Sequence, residues 1–392
     1  MIPVTTAKEI IARKITPLRR MIVPLNEAAG HTLAEDIFAT ADIPAYEQSS
    51  MDGYAFSFAD KDQPLTIVGE MAAGTTTQLT IQARQATRIF TGGPLPIGAD
   101  TVVMQEKVSI DNAILTIQDD QLQQGGNVRN KGAEVSNGNL AIHQGCYLTP
   151  AAIGFLAGIG ETEVKVYPSA SVSIIITGNE LIEPGRPLGF GQVYQSNSYM
   201  LEAALRSAGI SQIIVAKAAD DPVTLQRVLE NALQQTDVVL LTGGVSVGDY
   251  DFVVQAAAKC GIEQAFHRVK QKPGKPLYFG TFHNKLVFGL PGNPSSVLSC
   301  FYQYVLPALD LLSQRPPSVQ TTIARLGTDY QKNAGLTHFL KGNYSDGKAW
   351  PLGAQESFRL SSFAQANCLI QLEEEQSVFR EGDEVTVYLL PF

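Results

Sequence analysis

A regular alternation of predicted strands and helices over residues 169–312 constrains the fold more than any other feature of the sequence. An apolar run at residues 172–176 is typical of a buried strand, and a similar run follows at residues 238–241. Between them, Asp221 and Pro222 form an N-cap with proline at the first helical position, ahead of apolar residues at helical spacing. Because strands that alternate with helices form mainly parallel sheets, we predict an open α/β sheet in this region.

The segments on either side of this region have a different sequence pattern. Short alternating or β-branched runs separated by Gly, Pro and Asn turns predict a β-rich domain at residues 45–137. We expect residues 1–44 and 138–168 to form a discontinuous helical linking domain. A pair of prolines ends the α/β domain, which we place at residues 169–315. The apolar runs of strand length beyond it predict a small C-terminal β-barrel at residues 316–392.

Two helix starts can be read from local sequence. Thr6 and Glu9 have the spacing of a capping box, which predicts a helix that begins there and is ended by Pro17. Asn293 precedes Pro294, so we expect its side chain to cap the last helix of the α/β domain.

The length and composition agree with several folded domains. A chain of 392 residues exceeds the roughly 250 to 300 residues at which single cores stop growing. A net charge of −9 disfavours nucleic acid as a partner. No apolar segment approaches the roughly 18 residues of a membrane span and no signal segment opens the chain, so we expect no membrane partner and a cytoplasmic protein. The cysteines and histidines are scattered, which indicates neither a zinc site nor a disulfide framework.

Acidic side chains follow three predicted strands of the α/β domain. Glu180 follows the first strand, Asp220 the second, and Asp249 and Asp251 the third. Ligands bind such sheets outside the carboxyl ends of the strands, so these carboxylates could converge and hold Mg²⁺. Solvated loop ends are the competing interpretation, and for Asp221 we favour the N-cap role.

A glycine-rich loop at residues 242–251 follows the third strand. Its glycines, Gly243, Gly244 and Gly248, match neither the dinucleotide fingerprint nor the P-loop. They nevertheless let the backbone approach a ligand closely at the positive end of the next helix, which favours an anion-binding loop. A plain tight turn is the competing interpretation.

Cationic side chains concentrate around a proline-glycine turn in an otherwise acidic chain. Within eight residues lie Arg268, Lys270, Lys272 and Lys275. A charge-assisted hydrogen bond contributes roughly 1.5 to 3 kcal/mol, so these groups could bind a charged ligand, although a solvated basic loop is the alternative. Residues 291–296 join a strand to a helix and form a second candidate anion site. Turns at residues 50–55 and 91–96 are by themselves only structural.

Taken together, six segments resemble those of one family. The chain resembles the MoeA and gephyrin E-domain family of molybdopterin molybdenumtransferases over nearly its whole length. The segments are Ser50-Met51-Asp52-Gly53-Tyr54-Ala55, Thr91-Gly92-Gly93-Pro94 with Val103-Met104-Gln105-Glu106, Thr177-Gly178-Asn179-Glu180-Leu181, Gly243-Gly244-Val245-Ser246-Val247-Gly248, Lys272-Pro273-Gly274-Lys275-Pro276 and Leu290-Pro291-Gly292-Asn293-Pro294.

The resemblance implies an activity and an assembly. Family members insert molybdate into adenylylated molybdopterin at the dithiolene sulfurs and release AMP, with a divalent cation such as Mg²⁺. The resemblance also implies an elongated homodimer of four domains per subunit, with the active site between one subunit's α/β domain and the other's β-rich domain. A molybdopterin adenylyltransferase is the expected upstream partner.

Residue roles follow from the same resemblance. Catalytic roles are implied for Asp52, Thr91, Glu180, Asp220 and Asp251, with Asp249 as a further metal ligand. Contacts to the adenylylated pterin are implied for Gly243, Gly244, Ser246 and Gly248. Contacts to molybdate are implied for Lys272, Lys275, Ser296, Lys341 and Ser357. Arg268, Lys341 and the Ala133-Glu134 pair depart from the family pattern, which bears on oxyanion affinity and on molybdate against tungstate.

Two other functions compete with this interpretation. A nucleotide hydrolase similar to CinA could be built on a related α/β domain, but the Asp52 and Thr91 motifs and the C-terminal barrel argue against it. A non-catalytic scaffold that binds molybdopterin is the second alternative, which the kinship with gephyrin permits. AMP release that depends on molybdate distinguishes the three.

Overall fold

The structure is a computed structural model that describes residues 1–243 and 252–391. It divides into two compact units. The larger, here called the α/β-barrel unit, consists of Met1–Ile22, Gly30–Thr32 and Lys165–Phe392, and the β-rich unit consists of Val23–Ala29 and Leu33–Val164. The four domains predicted from the sequence divide the chain more finely than these two units, and their boundaries stay a prediction. None of the described helices is long and apolar enough to cross a membrane.

The α/β-barrel unit contains all but one of the described α-helices. The helices are Val4–Lys14, Asn197–Ser207, Pro222–Gln235, Phe252–Lys259, Pro294–Cys300 and Leu306–Leu312, with a π-helical turn at Phe301–Val305 joining the last two. The strands before the barrel are Val172–Thr177, Leu181–Ile182, Val193–Tyr194, Ile213–Ala218, Val238–Thr242, Glu263–Arg268, Gln271–Lys272, Pro276–Phe282 and Lys285–Leu290.

Six of these strands form one mixed sheet, which confirms the predicted open α/β domain. Its order is Ile213–Ala218, Val172–Thr177, Val238–Thr242, Lys285–Leu290, Pro276–Phe282, Glu263–Arg268, with the first four parallel and the last two antiparallel to their neighbours. The first strand along the chain has the second on one side and the third on the other. Sheets of this kind bind ligands at such a switch point, beyond the strands' carboxyl ends.

Helices cover both faces of this sheet. One core packs Leu201 and Leu205 against Ile174 and Leu240, and it also contains Val4, Ala7 and Ile11 of the first helix. The other core packs the helices Pro222–Gln235 and Phe252–Lys259 against alternate residues of the same strands. Burial on both faces explains why these strands are almost wholly apolar.

The C-terminal part of this unit is a closed barrel, as predicted. Five strands close in the order Thr337–Ser345, Lys348–Pro351, Gln320–Leu326, Glu384–Leu389, Cys368–Leu372, and the last pairs back to the first. Tyr330–Gln331 and Val378–Phe379 form a separate ribbon. The short strand Gln271–Lys272 pairs in parallel with Thr337–Ser345, so the lysine-rich turn lies directly against the barrel.

The β-rich unit is organised around a six-stranded sheet, in agreement with the β-rich prediction. Its order is Thr101–Met104, Gly53–Phe56, Gln85–Ile89, Leu65–Met71, Ile114–Ile117, Val108–Asp111. Two-stranded ribbons pair Gln48–Ser49 with Val128–Arg129 and Ile37–Phe38 with Leu140–Ile142, and the one α-helix described here is Pro150–Gly158. The strands Met21–Pro24, Thr32–Leu33 and Glu163–Tyr167 lie where the chain passes from one unit to the other.

Local helix signals were right for one cap and wrong for two. Asp221 caps its helix by accepting from the backbone N–H groups of Val223 at 3.1 Å and Thr224 at 2.8 Å. The first helix begins at Val4, two residues before Thr6, because Pro3 has the extended conformation of an N-cap and no capping box forms. Asn293 occupies the N-cap position without capping the helix, since its amide is engaged elsewhere.

Candidate functional site

The carboxyl ends of the first and third strands approach each other closely. Gly243 has φ of 87°, and a Cβ atom there would lie 2.3 Å from the carbonyl oxygen of Thr177. Gly178 has φ of 144°, which is also in the region reserved for glycine. The two loops therefore need glycine where they leave the sheet, and we call the sheet edge at these two loops the crevice, after the place where such folds bind ligands.

Two predicted carboxylates lie on adjacent loops of this crevice. The Oδ2 atom of Asp220 accepts from the backbone N–H of Asn179 at 3.1 Å, which brings Asp220 to the loop that carries Glu180. Glu180 is exposed and Asp220 is half-buried. Within residues 1–243 and 252–391, no three His, Cys, Asp or Glu side chains form a metal-binding group. The other predicted ligands, Asp249 and Asp251, lie outside the described residues, as do Gly244, Ser246 and Gly248.

Asn197 connects this crevice to the next loop of the sheet. Its Nδ2 atom donates at 2.9 Å both to the hydroxyl of Thr242 and to the carbonyl oxygen of Gly292. Asn197 Oδ1 and the hydroxyl of Thr177 are buried and have no partner among the described residues. Buried polar atoms cost free energy unless they are paired, so these two point to a polar ligand at the switch point.

A buried glutamine holds the lysine-rich turn. The Nε2 atom of Gln271 donates to the carbonyl oxygen of Gly274 at 2.9 Å and to Cys300 Sγ at 3.5 Å, and the Tyr304 hydroxyl donates to its Oε1 atom. Gly274 has φ of 84°, and a Cβ there would lie 2.5 Å from Cys300 Sγ. These contacts leave Lys272 exposed next to the barrel. Sequence reasoning missed Gln271, because a lone glutamine in a basic run carries no signal of burial.

The cations around this turn have different surroundings. Lys270 forms an ion pair with Glu374 at 2.6 Å, so its charge is already matched. Lys272 and Lys275 are exposed, and Arg268 is half-buried. The two exposed lysines are therefore those best placed to meet an anion from solvent.

A cavity of about 580 Å³ lies between the lysine-rich turn and the barrel. Its wall includes Lys272, Pro273, His338, Gln355, Glu356 and Ser357. The Asn293 amide donates to the hydroxyl of Ser357 at 2.7 Å, and the backbone of Ser295 donates to the Ser357 carbonyl at 3.0 Å. The structure thus brings Lys272 and Ser357 to one cavity, which we call the oxyanion cavity.

Ser296 and Lys275 are not among the described residues that line this cavity. Ser296 is only 3% exposed, and its carbonyl oxygen would lie 3.7 Å from a Cβ at Gly274. Lys275 accepts through its carbonyl from the backbone N–H of Val269 at 3.1 Å. Their predicted contacts to molybdate stay predictions.

Lys341 is buried under the loop that carries Ser357. It is 2% exposed, and its ammonium donates to the carbonyl oxygens of Ala354, Glu356 and Arg359 at 2.8, 3.4 and 3.0 Å. An ammonium has three N–H donors, and all three are used here. Burial lowers the pKa of Lys341. This arrangement supports a role in shaping the Ser357 loop, whereas the predicted direct contact with molybdate stays a prediction.

His338 is a wall residue that the sequence did not single out. It lies opposite Lys272 in the parallel strand pair and is 7% exposed. Burial, together with the charges of Lys332 and Lys272, lowers the pKa of His338 to about 4. The imidazole is therefore neutral at neutral pH and offers one N–H donor without adding charge to the cavity.

In the β-rich unit, Asp52 and Thr91 are in direct contact. Asp52 Oδ1 accepts from the backbone N–H of Thr91 at 2.8 Å and from its hydroxyl at 2.9 Å. These bonds, and the charge of Arg88, lower the pKa of the Asp52 carboxyl. Gly53 must be glycine, because a Cβ there would lie 1.9 Å from the Val103 carbonyl oxygen. Two turns that looked merely structural thus present an exposed carboxylate and hydroxyl together.

Comparison with known families accounts for most of the chain. Residues 2–160 match the MoeA N-terminal region (domains I and II), residues 173–311 a probable molybdopterin binding domain, and residues 323–390 the MoeA C-terminal region (domain IV). These matches define a protein built around an α/β domain of the probable molybdopterin-binding class.

Full-length relatives narrow this class. The chain is 34% identical to a molybdopterin molybdenumtransferase of Haemophilus influenzae, over 95% of this chain and 94% of that protein, and 36% identical to one of Nostoc, over 94% and 88%. A crystal structure of a molybdopterin biosynthesis MoeA protein from Pyrococcus horikoshii superposes with a TM-score of 0.82 at 29% identity, covering 99% of this chain and all of that one. The chain belongs to the MoeA family of molybdopterin molybdenumtransferases. It is an enzyme of molybdenum cofactor biosynthesis.

Proposed function

We propose that this enzyme inserts molybdate into adenylylated molybdopterin and releases AMP. The observation that carries the proposal is the oxyanion cavity, where Lys272, neutral His338 and the Ser357 hydroxyl surround one space. Donors fixed in advance around an anion cost little reorganisation when the substrate binds. We assign molybdate to this cavity and the adenylylated pterin to the crevice at Gly243 and Thr177.

The acidic loops of the crevice suit a magnesium ion. Glu180 and Asp220 offer carboxylate oxygens, and Mg²⁺ is commonly held by one or two carboxylates together with substrate phosphates. When bound there, Mg²⁺ would neutralise phosphate charge. The Asp220 carboxylate accepts from the backbone N–H of Asn179, and this hydrogen bond ties the loop of Asp220 to the loop that carries Glu180.

The proposed reaction is balanced without an external oxidant or reductant. One oxo group of molybdate leaves as water with the two dithiolene thiol protons, so molybdenum keeps its oxidation state. A second water cleaves the phosphoanhydride and releases AMP. In this scheme Lys272 and His338 hold the oxyanion. Within the β-rich unit, Asp52 and Thr91 present a carboxylate and a hydroxyl whose arrangement is already fixed.

The deciding experiment is AMP release by the purified full-length chain. The assay contains adenylylated molybdopterin and Mg²⁺, with and without molybdate, and AMP is quantified by chromatography. Release that depends on molybdate supports the proposal. Tight pterin binding without AMP release would contradict it and favour the scaffold alternative.

A pair of lysine variants tests whether molybdate binds in the oxyanion cavity. Lys272→Met removes a cation from the cavity wall, and the KM for molybdate should rise at least about tenfold, since tenfold corresponds to 1.4 kcal/mol. Lys348→Met removes an exposed lysine of the barrel away from this wall and should leave the KM unchanged. Equal KM values for the two variants would remove Lys272 from the site.

The proposal includes the finer expectations that the resemblance supports. These are a homodimer, a molybdopterin adenylyltransferase as the upstream partner, and a cytoplasmic location. The mass of the purified chain by light scattering tests the first, and pull-down with the adenylyltransferase tests the second.

A further inference from the structure

A second cavity, of about 340 Å³, lies in the α/β-barrel unit and shares no described wall residue with the oxyanion cavity. The first helix, the helical segment from Tyr302 to Arg315 and the barrel strand Glu384–Leu389 all contribute to its wall. Most of the wall is apolar, and the volume falls within the roughly 300 to 1,000 Å³ of small-molecule sites.

The polar groups of this cavity are mainly donors. The Lys8 ammonium donates to Gln303 Oε1 at 2.7 Å and to the Tyr388 hydroxyl at 3.1 Å, which leaves one N–H. Gln303 is 2% exposed, and its Nε2 atom has no partner among the residues that the structure describes. Two kinds of N–H donor are therefore placed together on an apolar wall.

The Lys8 ammonium lies over the rings of Tyr388 and Phe339, 4.3 and 5.9 Å from their centroids, but no anion matches its charge in the described part of the chain. Burial alone lowers the pKa of Lys8 to about 8, and the described residues place no carboxylate at salt-bridge distance from it. Asp310 also lines the cavity, but its carboxylate accepts from the backbone N–H and the hydroxyl of Ser318 at 2.8 and 2.7 Å. A half-buried ammonium without a matched anion costs free energy, which a ligand's carboxylate would offset.

The backbone that presents Gln303 is itself unusual. Residues Phe301–Val305 form a π-helical turn between the helices Pro294–Cys300 and Leu306–Leu312. Such turns are rare, and they occur frequently at functional sites. This one directs Tyr302, Gln303 and Tyr304 toward the cavity wall.

We propose that this cavity binds a small monocarboxylate with an apolar body. The Lys8 ammonium and the Gln303 amide bind the carboxylate, and the aromatic and aliphatic wall, including Ile11 and Tyr302, receives the apolar body. The match between a cation without a counter-charge, a free amide donor and an apolar wall selects this class over a neutral or a cationic molecule.

Benzoate serves as the probe, and benzyl alcohol serves as its neutral counterpart of nearly the same shape. Isothermal titration of the full-length wild-type chain should give a Kd for benzoate at least about tenfold below that for benzyl alcohol. Equal affinities, or no binding of benzoate, would overturn the proposal without any variant.

Two variants locate the binding. Lys8→Met keeps the aliphatic stem and removes the charge, so the Kd for benzoate should rise at least about tenfold. Lys14→Met, an exposed lysine of the same helix, should leave the Kd unchanged. An unchanged Kd in Lys8→Met would overturn the proposal.

Dilution separates the ligand site from an interface. Benzoate is titrated at several protein concentrations, and light scattering measures the association of the chain at each one. If a second copy of the chain covers the cavity, the Kd for benzoate will rise as the chain associates, and the proposal fails. A Kd that does not depend on protein concentration supports it.

Discussion

Replacing Lys341 by methionine should weaken the barrel and the oxyanion cavity together. The buried ammonium makes two short bonds, to the carbonyl oxygens of Ala354 at 2.8 Å and Arg359 at 3.0 Å. A hydrogen bond to a charged group contributes roughly 1.5 to 3 kcal/mol, and methionine fills a similar space without donating. Counting both bonds at the lower value, the free energy of unfolding should fall by about 3 kcal/mol.

Urea unfolding followed by Trp350 fluorescence measures this loss where it arises. Trp350 is the chain's one tryptophan and lies in the barrel strand Lys348–Pro351. With an m value of about 1 to 3 kcal/mol/M, the midpoint should fall by about 1 to 3 M. The control Lys348→Met changes an exposed side chain and should stay within about 0.5 kcal/mol of the wild type.

The same variant tests how the cavity is shaped. The loop that Lys341 holds carries Ser357, so the KM for molybdate in AMP release should rise at least about tenfold while kcat at saturating molybdate changes little. Equal unfolding midpoints for Lys341→Met and Lys348→Met would refute the stabilising role. A lower midpoint with an unchanged KM would refute the role in positioning Ser357.

Three other predictions concern a buried imidazole, a glycine and the carboxylate of the β-rich unit. Burial and two nearby lysines lower the pKa of His338 from 6.5 to about 4, so the unfolded chain binds the proton more readily and stability is lost as the pH falls between those values. At 1.36 kcal/mol per pH unit, the free energy of unfolding should fall by about 3 kcal/mol over this range. His338→Gln should flatten the dependence of the free energy of unfolding on pH, measured by urea unfolding between pH 7.5 and 4. An unchanged dependence would contradict the lowered pKa of His338. Gly243→Ala places a Cβ against the Thr177 carbonyl and forces φ of 87° on alanine, so AMP release should fall at least about tenfold while far-ultraviolet circular dichroism stays the same. Asp52→Asn removes the negative charge of the exposed side chain whose Oδ1 atom accepts from Thr91. AMP release should drop at least about tenfold with the melting temperature unchanged. Full activity would remove the pair from the reaction.

The architecture was readable from the sequence where local signals and burial agree. Strands buried on both faces are continuous apolar runs, as at Val172–Thr177 and Val238–Thr242. Such a run can be recognised from its own sequence, without knowing which elements pack against it. The cap at Asp221 followed from its neighbours alone. The placement of acidic and glycine residues after parallel strands then followed from topology.

Side-chain environments were not readable in the same way, because they depend on contacts distant in sequence. Nothing local shows that Lys341 is buried among carbonyls or that Asn293 donates to Ser357, 64 residues away, instead of capping its helix. Gln271 is fixed by Tyr304, 33 residues further on. In each case the residue type indicated a polar role, and only the tertiary structure shows which partner meets it.

These long-range bonds also connect the two halves of the proposed site. Asn197 joins Thr242, at the end of the crevice strand, to the carbonyl of Gly292, and the next residue, Asn293, donates to Ser357 in the oxyanion cavity. Because Gly292 and Asn293 are consecutive, one backbone segment connects the hydrogen bond from Asn197 with the hydrogen bond to Ser357. A shift of that segment would therefore disturb both hydrogen bonds together, and Asn293 takes part in this connection without capping its helix.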